Sequence, residues 1–587
     1  MEKWFIRSGN TNLVDVGKTE EEKILYRIIA NRGIEDEKEL EKFLNPSLKY
    51  LNDPQSLKDI EIATDILLDA IESSQKIRIV GDYDVDGVMS TYILYTFIKR
   101  IGGNVDYYIP HRMHDGYGIN EDIAKKAIED NISLIITCDN GIAAFDAIKK
   151  LKDNDLSVII TDHHNVLQDE NGLDIIPNAD AIINPKQREC KYPYKNLCGA
   201  AVAYKFIDFV AIQLGIDSDE IIRDYLEFAA LATICDVMPI TDENRVIVKN
   251  GLELLNSTVN IGMKALIKAS GIEDQKIEIY HAGFVLGPTI NSTGRVDYAK
   301  MALELLLTKD SKKALEIASK MRELNSKRMK ITEYGKEIAD QYILENNLLK
   351  DDIIIISHRE INDSVAGIIA GRIKEDLYRP TIVLSEKDRI SKGSARSIDE
   401  YNMYDELNKV SDLLLKFGGH KSAAGLSINT EDVEKLRTKL NQNSKLTKDD
   451  LQKKVYIELG LPLNYITLDL ADKLSQMQPH GLGNPKPIFG SKNILIKTIN
   501  VFGEKRNVIA LDLFGNGTNI RGIMFEDEKE FIKRLEKYMN PSEVSEFMKG
   551  QTNGFNCDII YTININEFRG KRTAQANISG IRINRNN

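Results

Sequence analysis

Four short apolar runs, each too short for a helix, constrain the fold of this chain more than any other feature. Isoleucine and valine dominate them, as they do in strands that are buried on both faces of a parallel sheet. Helical patterns separate the runs, so strands and helices alternate along the chain. This alternation predicts an α/β domain with a doubly wound parallel sheet. The predicted strands are Lys76–Val80, Leu134–Thr137, Leu156–Ile160 and Ala181–Ile183.

Acidic residues and two adjacent histidines follow three of these strands, at the sheet edge where open α/β folds build their sites. Converging carboxylates repel one another unless cations lie between them, and a mixed Asp/His set suits Mn²⁺ or Mg²⁺ better than structural zinc. Each aspartate alone is better explained as a loop cap or a helix N-cap. Together they favour a two-metal site for phosphoryl transfer. The candidates are Asp82, Asp84, Asp86, Asp139, Asp162, His163, His164 and, from a helical stretch, Asp236.

Composition narrows the class of protein further. The chain of 587 residues carries a net charge of −11, which argues against binding nucleic acid through bulk charge but allows a local basic groove. Its start lacks the apolar core of a secretion signal, and no run of 18 or more apolar residues occurs. Five scattered cysteines without a CxxC pair indicate reduced thiols. We therefore expect a multidomain cytoplasmic protein that does not span a membrane.

The remaining chain divides into further predicted domains. Residues 1–50 form a helical extension, which we expect to pack on the domain that follows, and residues 51–296 form the first α/β domain. A helical connector over 297–350 leads to a second α/β lobe at 351–445. This lobe contains two glycine-rich polar stretches, KGSARS, which is predicted as a loop, and FGGH. Period-two alternation over 455–587 predicts a small antiparallel barrel. The segment GPTINSTGR is rich in turn-forming residues.

The motifs GDYDVDG, TCDNG, TDHHN and ICDVMP occur in the order that is typical of the DHH phosphoesterase superfamily. Within it, the chain resembles the RecJ family of single-strand-specific 5′→3′ exonucleases over nearly its whole length after residue 50. Supporting segments are GPTINSTGR, ELNSKR, KGSARS, FGGHKSAAG and PHGLGNPKPIF. The stretch SHREINDSVAG departs from the usual family segment, and GPTINSTGR lacks the arginine that often follows GP.

The resemblance assigns roles to residues of the first domain. It implies two divalent ions, Mn²⁺ or Mg²⁺, and a catalytic pair in which His164 faces the scissile phosphate while Asp162 orients a ligating histidine. Which of the three clustered aspartates binds which ion is left open. The implied metal ligands are Asp82, Asp84, Asp86, Asp139, His163 and Asp236.

The resemblance also implies where the substrate binds. Ser394 and Arg396 correspond to a pocket for a 5′ phosphate, because arginine can donate two parallel hydrogen bonds to phosphate. Arg112 is a further contributor. Expected contacts with the DNA backbone come from Arg295, Asn325 and the GGH motif of Gly418, Gly419 and His420.

The terminal barrel resembles an OB-fold, which binds single strands through charge and base stacking. Tyr561 and Phe568 are candidate stacking residues, although both could equally be barrel core. The implied partners are single-stranded DNA, single-strand-binding protein and a RecQ-type helicase.

The sequence therefore predicts a metal-dependent exonuclease that degrades single-stranded DNA 5′→3′ to 5′-mononucleotides in DNA repair and recombination. One alternative is a DHH phosphodiesterase for short oligonucleotides or cyclic dinucleotides, although such enzymes generally lack a terminal barrel. The other is a replication scaffold without catalysis, which would be expected to lose metal ligands that are all present here.

Overall fold

A computed structural model describes residues 2–9, 12–111, 116–296, 300–550 and 556–584. The chain forms two compact units. The first contains described residues of 53–236 and 251–453, together with the start of the chain, and the second contains those of 4–52, 237–250 and 454–587. Among the described residues, no helix is long and apolar enough to cross a membrane.

The first sheet of unit one has five parallel strands, which confirms the predicted sheet and adds one strand. In chain order the strands lie side by side as 2-1-3-4-5, a doubly wound arrangement with its switch point between the first and third. Ligands bind at such a switch point, beyond the carboxyl ends of the strands. In chain order, the strands are Lys76–Val80, Asn104–Tyr108, Leu134–Cys138, Ser157–Thr161 and Ala181–Ile183.

Helices cover the first sheet because its strands carry apolar side chains on both faces. Ile135, Val158 and Ile160 pack with two amphipathic helices, Glu121–Glu129 and Phe145–Lys152. Helices on the opposite face and beyond it are Ile60–Glu72, Val85–Arg100, Gly199–Gln213, Ser218–Cys235 and Ile261–Ala269. A small hairpin pairs Leu167–Gln168 with Asp174–Ile175.

The segment GPTINSTGR is a helix, Gly287–Val296, so its turn-forming residues were misleading. The Ser292 hydroxyl donates to the Thr289 carbonyl, and the Thr293 hydroxyl donates to the Ile290 carbonyl, which satisfies both groups within the helix. Preceding it are the turn Ile279–His281 and the π-helical stretch Ala282–Leu286. The predicted connector consists of the helices Lys300–Leu307 and Ser311–Glu345.

The second sheet also lies in unit one and mixes one parallel pair with antiparallel strands. KGSARS up to Arg396 and all of FGGH lie in its strands, which corrects the prediction of KGSARS as a loop. Gly393 explains the first case, since a Cβ there would lie 1.9 Å from the Val383 carbonyl oxygen of the neighbouring strand. The strands are Ile354–His358, Thr381–Lys387, Ile390–Arg396, Leu414–His420 and Ala423–Asn429, and the helices are Asp363–Leu377, Met403–Asn408 and Val433–Asn443.

Unit two contains the predicted barrel. Five strands close into a ring, because the first strand pairs with both the second and the fourth. They are Phe489–Phe502, Val508–Gly515, Thr518–Met524, Asn556–Phe568 and Lys571–Asn584. Alternation of apolar and polar residues predicted four of them. It missed Thr518–Met524, because Gly522 and the adjacent Ile523 and Met524 interrupt the alternation there. The strand Leu459–Gly460 and the helices Leu468–Ser475, Glu528–Leu535 and Pro541–Met548 complete the domain.

The N-terminal extension shares the hydrophobic core of the barrel, which corrects the expectation that it packs on the next domain. Its helices, Glu20–Ala30 and Glu37–Leu44, are strongly amphipathic. Their apolar faces pack with barrel residues such as Leu470 and Phe489. The strand Lys3–Ile6 pairs with Lys454–Ile457. Sequence alone shows that these helices have an apolar face but not which distant segment covers it.

Arg245, on the helix Asp242–Asn256, is fully buried in unit two. Its guanidinium donates five hydrogen bonds of 2.7–3.3 Å to backbone carbonyls, and it lies over the ring of Phe43. Burial lowers the pKa of Arg245 to about 10. The acceptors belong to Phe43, Gln476, Met477, Gln478 and Pro479, so this single side chain joins three separate segments.

Candidate metal centre and substrate sites

The predicted ligands lie together at the carboxyl ends of three strands of the first sheet. Nε2 of His163 lies 3.1 Å from Asp139 Oδ1, 3.5 Å from Asp86 Oδ2 and 3.7 Å from Asp236 Oδ2. In each of three groups, the ligand atoms lie within 4.8 Å of one another. These groups are Asp82–Asp84–Asp139, Asp86–His163–Asp236 and Asp139–His163–His164.

Local backbone geometry holds the loop GDYDVDG in place. Asp84 caps the helix Val85–Arg100, because its Oδ1 accepts a hydrogen bond from Gly87 N. Gly87 must be glycine, since a Cβ there would lie 2.5 Å from the backbone of Asp82. Asn291, on the neighbouring helix, accepts a hydrogen bond of 3.0 Å from Val85 N. The N-cap explanation is therefore correct for Asp84, and it coexists with the cluster.

Electrostatic repulsion and burial act on the clustered carboxylates. Burial, reinforced by the neighbouring charges of Asp84 or Asp86, raises the pKa of Asp82 and Asp139 well above the usual value. The same causes raise the pKa of Asp84, and raise that of Asp236 to about 8. Burial lowers the pKa of His163. An arrangement that disfavours its own ionised form is typical of a site built to receive positive charge.

The hydrogen bonding of these side chains fits divalent cations. Asp82 Oδ2 and Asp139 Oδ1 are buried and accept no hydrogen bond. Buried polar atoms are normally paired, so each exception needs a partner of another kind. Carboxylate oxygens and imidazole nitrogen are the ligand types that suit Mn²⁺ and Mg²⁺.

His164 and Asp162 form a separate pair beside the cluster. His164 Nδ1 lies 2.8 Å from Asp162 Oδ1, and its Nε2 lies 3.1 Å from the hydroxyl of Tyr117. Burial alone would lower the pKa of His164, but Asp162 raises it to about 9. Burial alone would raise the pKa of Asp162, but the hydrogen bond with His164 lowers it to about 2. Sequence reasoning missed Tyr117, which also donates to the Asp139 carbonyl.

The predicted phosphate pocket lies where the helix Asp363–Leu377 crosses the strand Ile390–Arg396. A Cβ on Gly367 would lie 2.9 Å from the Arg396 guanidinium and 3.3 Å from Ser394, so this glycine lets the helix approach both. A cavity of about 680 Å³ is lined by Arg396, Lys336 and Arg372, among others. Burial, and then the charge of Arg372, lowers the pKa of Arg328. The prediction missed Arg372, which lines this cavity from the helix Asp363–Leu377.

The other predicted substrate contacts have different outcomes. Gly418, Gly419 and His420 lie on an exposed strand, and Gly419 has a φ of 150° that L side chains rarely adopt. Asn325 is buried and donates to the Thr289 hydroxyl, so the structure does not support its predicted contact with DNA. Arg112 and the side chain of Arg295 lie outside the described residues.

Aromatic rings other than the expected tyrosine lie on the outer face of the barrel. Tyr561 is fully buried and its hydroxyl donates 2.9 Å to the Leu461 carbonyl, so it is core and the stacking prediction was wrong for it. Phe568 is exposed. Elsewhere on the outer face, Lys497 lies over the ring of Phe514 at 4.2 Å, and Arg521 lies over Phe502 at 5.8 Å. Phe502 is exposed and Phe514 is half-buried, and cations over accessible rings contribute to the binding of single strands.

Comparison with known families agrees with this architecture. Sequence models match the DHH family N-terminal domain at residues 76–233, the DHHA1 domain at 350–445 and the RecJ OB domain at 457–580. Fold and site together define a DHH-type protein with a DHHA1 lobe and an OB domain. The chain belongs to the RecJ family of single-stranded-DNA-specific exonucleases.

Two bacterial relatives carry that name. The Bacillus subtilis protein is 34% identical over 556 residues, covering 94% of this chain and 67% of its own length. The Haemophilus influenzae protein is 32% identical over 571 residues, covering 94% of this chain and 95% of its own. The crystal structure of Thermus thermophilus RecJ in complex with Mn²⁺ has a TM-score of 0.80 at 23% identity, covering 99% of this chain and 79% of that one. That likeness establishes the fold.

Proposed function

We propose that this protein is a metal-dependent exonuclease that degrades single-stranded DNA from the 5′ end to 5′-mononucleotides in DNA repair and recombination. The observation that carries the proposal is the convergence of five aspartates and a histidine at the switch point of the first sheet. Family membership supports the substrate class, since relatives of this chain are named single-stranded-DNA-specific exonucleases.

Two divalent ions, Mn²⁺ or Mg²⁺, are the proposed cofactors. Asp82, Asp84 and Asp139 would hold one, and Asp86, His163 and Asp236 would hold the other, with Asp139 close enough to His163 to be shared. When bound, such ions supply an activated water and neutralise charge on the attacking and leaving oxygens of phosphoryl transfer.

His164 would act on the substrate phosphate. Its raised pKa of about 9 keeps the imidazole protonated at neutral pH, so it can donate a hydrogen bond to a phosphate oxygen or protonate a leaving oxygen. Asp162 fixes the ring through Nδ1 and leaves Nε2 as the group that faces a ligand. Tyr117 accepts from that nitrogen in the structure and would give way to the phosphate.

The second lobe would set the polarity of digestion. Ser394 and Arg396 form the proposed 5′-phosphate pocket, with Gly418, Gly419 and His420 along the strand and Arg112 and Arg295 as further contacts. Because the metal cluster and this pocket lie on different sheets, a terminal phosphate held by Arg396 would position a phosphodiester near the 5′ end for cleavage. A terminal phosphate therefore selects the end at which cleavage begins.

The proposed partners beyond DNA are single-strand-binding protein and a RecQ-type helicase, which rest on family resemblance alone. A cytoplasmic location is supported by the five cysteines, all of which are free thiols.

The experiment is digestion of a single strand labelled at either end by the purified protein with Mn²⁺. We expect 5′ label to be released first as a mononucleotide, while blunt duplexes of the same sequence are spared. The matched control is Asp139→Asn, which keeps the size of the side chain and removes its charge. Release beginning at the 3′ end would overturn the polarity. Equal digestion of duplex would overturn the single-strand specificity.

A further inference from the structure

Tyr280 and Phe284 form a stacked pair on the surface of unit one. Their ring centroids are 5.5 Å apart with an interplanar angle of 23°. The rings are 63% and 71% exposed, which makes them the most exposed aromatic side chains among the described residues of this unit. Parallel rings of this kind leave an outer π face open to solvent.

The pair belongs to a helical segment that runs along the metal cluster. Further along it, Gly287 packs so closely on Cys235 that a Cβ would lie 2.4 Å from the thiol, and Cys235 directly precedes the metal-site residue Asp236. Asn291 then contacts Val85 of the aspartate loop. Tyr280 precedes Gly287 by seven residues, which corresponds to about 10 Å along a helix.

The size of the exposed patch determines what it can bind. Polar residues such as Asp274, Gln275 and Lys276 precede it and are exposed, so the two rings form a small apolar patch next to a polar surface. A stable protein interface buries about 800 Å² on each partner, which two rings cannot supply. A nucleobase has the area and the flat face that a stacked ring pair matches.

We propose that Tyr280 and Phe284 are a stacking platform for bases of the single strand, a few nucleotides from the phosphodiester that is cleaved. The inference rests on the proposed function, since it names a further binding site for the same substrate. The π-helical turn Ala282–Leu286 supports it, because this turn contains Phe284 and leads directly into the helix Gly287–Val296, and such turns occur frequently at functional sites. Base stacking is tolerant of sequence, as an exonuclease requires.

The test compares the double variant Tyr280→Ala/Phe284→Ala with the wild type on two strands of 20 nucleotides. One is a normal strand, and the other is abasic beyond its third nucleotide from the 5′ end. On the normal strand we expect KM to rise about tenfold with kcat unchanged. On the abasic strand we expect the two proteins to have the same KM, since there are no bases to stack.

Four further variants separate stacking from other roles. Tyr280→Phe and Phe284→Tyr should retain wild-type KM, whereas Tyr280→Leu/Phe284→Leu, which keeps apolar surface, should not. Tyr334→Ala, which removes another exposed ring of this unit, should leave KM unchanged. An unchanged KM in the double alanine variant, or an equal loss on both strands, would overturn the platform. Fluorescence anisotropy with labelled strands in EDTA measures the same difference in binding without cleavage. A protein that bound strands through these rings but cleaved none would refute the proposed function and leave the stacking platform standing.

Discussion

The carboxylate of Asp86 accepts a hydrogen bond of 2.6 Å from the backbone N–H of Gly199. Its other oxygen accepts one of 2.7 Å from Ala200 N, so the first turn of the helix Gly199–Gln213 points at this aspartate. The positive end of a helix dipole favours a negative charge there. Gly199 also lies against Asp139, where a Cβ would approach within 2.7 Å of that side chain. A helix end thus offsets part of the repulsion within the cluster.

Asp139→Ala should abolish nuclease activity and leave the fold intact. The change removes a carboxylate shared by two of the three ligand groups, and it also relieves repulsion in the metal-free protein. Nuclease assays with Mn²⁺ and melting curves in EDTA and in Mn²⁺ would check this. We expect Mn²⁺ to raise the melting temperature of the wild type but not of the variant. Near-normal activity of Asp139→Ala would contradict the metal assignment.

The metal-free protein should lose stability as pH rises from about 4 to about 8. Asp236 has a folded pKa of about 8, above its ordinary value of 3.8, so the folded state binds the extra proton in that window. The contribution of Asp236 to the free energy of unfolding is fully present below about pH 4 and is lost as the pH rises through about 8. We expect Asp236→Asn to reduce the fall in the free energy of unfolding over this pH range by about 1 kcal/mol or more. This value is below the one that the full pKa shift would give, because the side chain is partly exposed and solvent screens its charge. Denaturant melts in EDTA measure it. A wild-type curve that rises with pH relative to the variant would refute it.

Arg396→Ala should narrow the preference for 5′-phosphate over 5′-hydroxyl ends. Losing one partner of a desolvated charge pair costs on the order of 2–5 kcal/mol, which would appear in kcat/KM for phosphorylated strands only. Arg396→Lys is the matched control, since it keeps the charge but loses the planar fork. We expect it to be intermediate. An unchanged phosphate preference in Arg396→Ala would remove this residue from the pocket.

Phe514→Ala should weaken binding of long single strands by about 1–3 kcal/mol, the range for loss of one stacked base. Lys497→Ala should reduce the dependence of affinity on salt, because a protein with one cation fewer neutralises fewer phosphates and so releases fewer counterions from the DNA on binding. Tyr561→Phe serves as the control. It loses buried hydrogen bonds to Leu461 and Ser491 and about 1 kcal/mol of stability, but its affinity for DNA should not change. Equal losses in all three variants would point to the fold and not to a binding surface.

Arg245→Ala should destabilise unit two by on the order of 3 kcal/mol, because it leaves buried carbonyls without donors. The comparison is Lys42→Ala, which removes an ion pair with Asp242 nearer the surface and should cost less than about 1 kcal/mol. Urea titration followed by circular dichroism would give both values. Similar midpoints for the two variants would show that the carbonyl contacts of Arg245 contribute little.

Sequence predicted the parallel sheet and the cluster of aspartates and histidines at its edge, because both depend on local patterns. A run such as Leu134–Cys138 is apolar enough to be a strand by itself, and Asp139 follows it directly. The sequence could not show that Asn325 is buried or that Tyr561 is core, since each depends on packing against residues distant in the chain. It also missed Arg372, whose place near Arg396 follows from how a helix crosses a strand.

The shared core of the N-terminal helices and the barrel has a consequence for synthesis. Asn31 donates to Glu458, which lies 427 residues later in the chain. At roughly 5–20 residues per second, the first helices would leave the ribosome on the order of 20–80 s before their partners. During that interval the apolar side chains of Ile28 and Phe43 have no barrel to cover them. The first segment of this protein to be made is therefore among the last to reach its final packing.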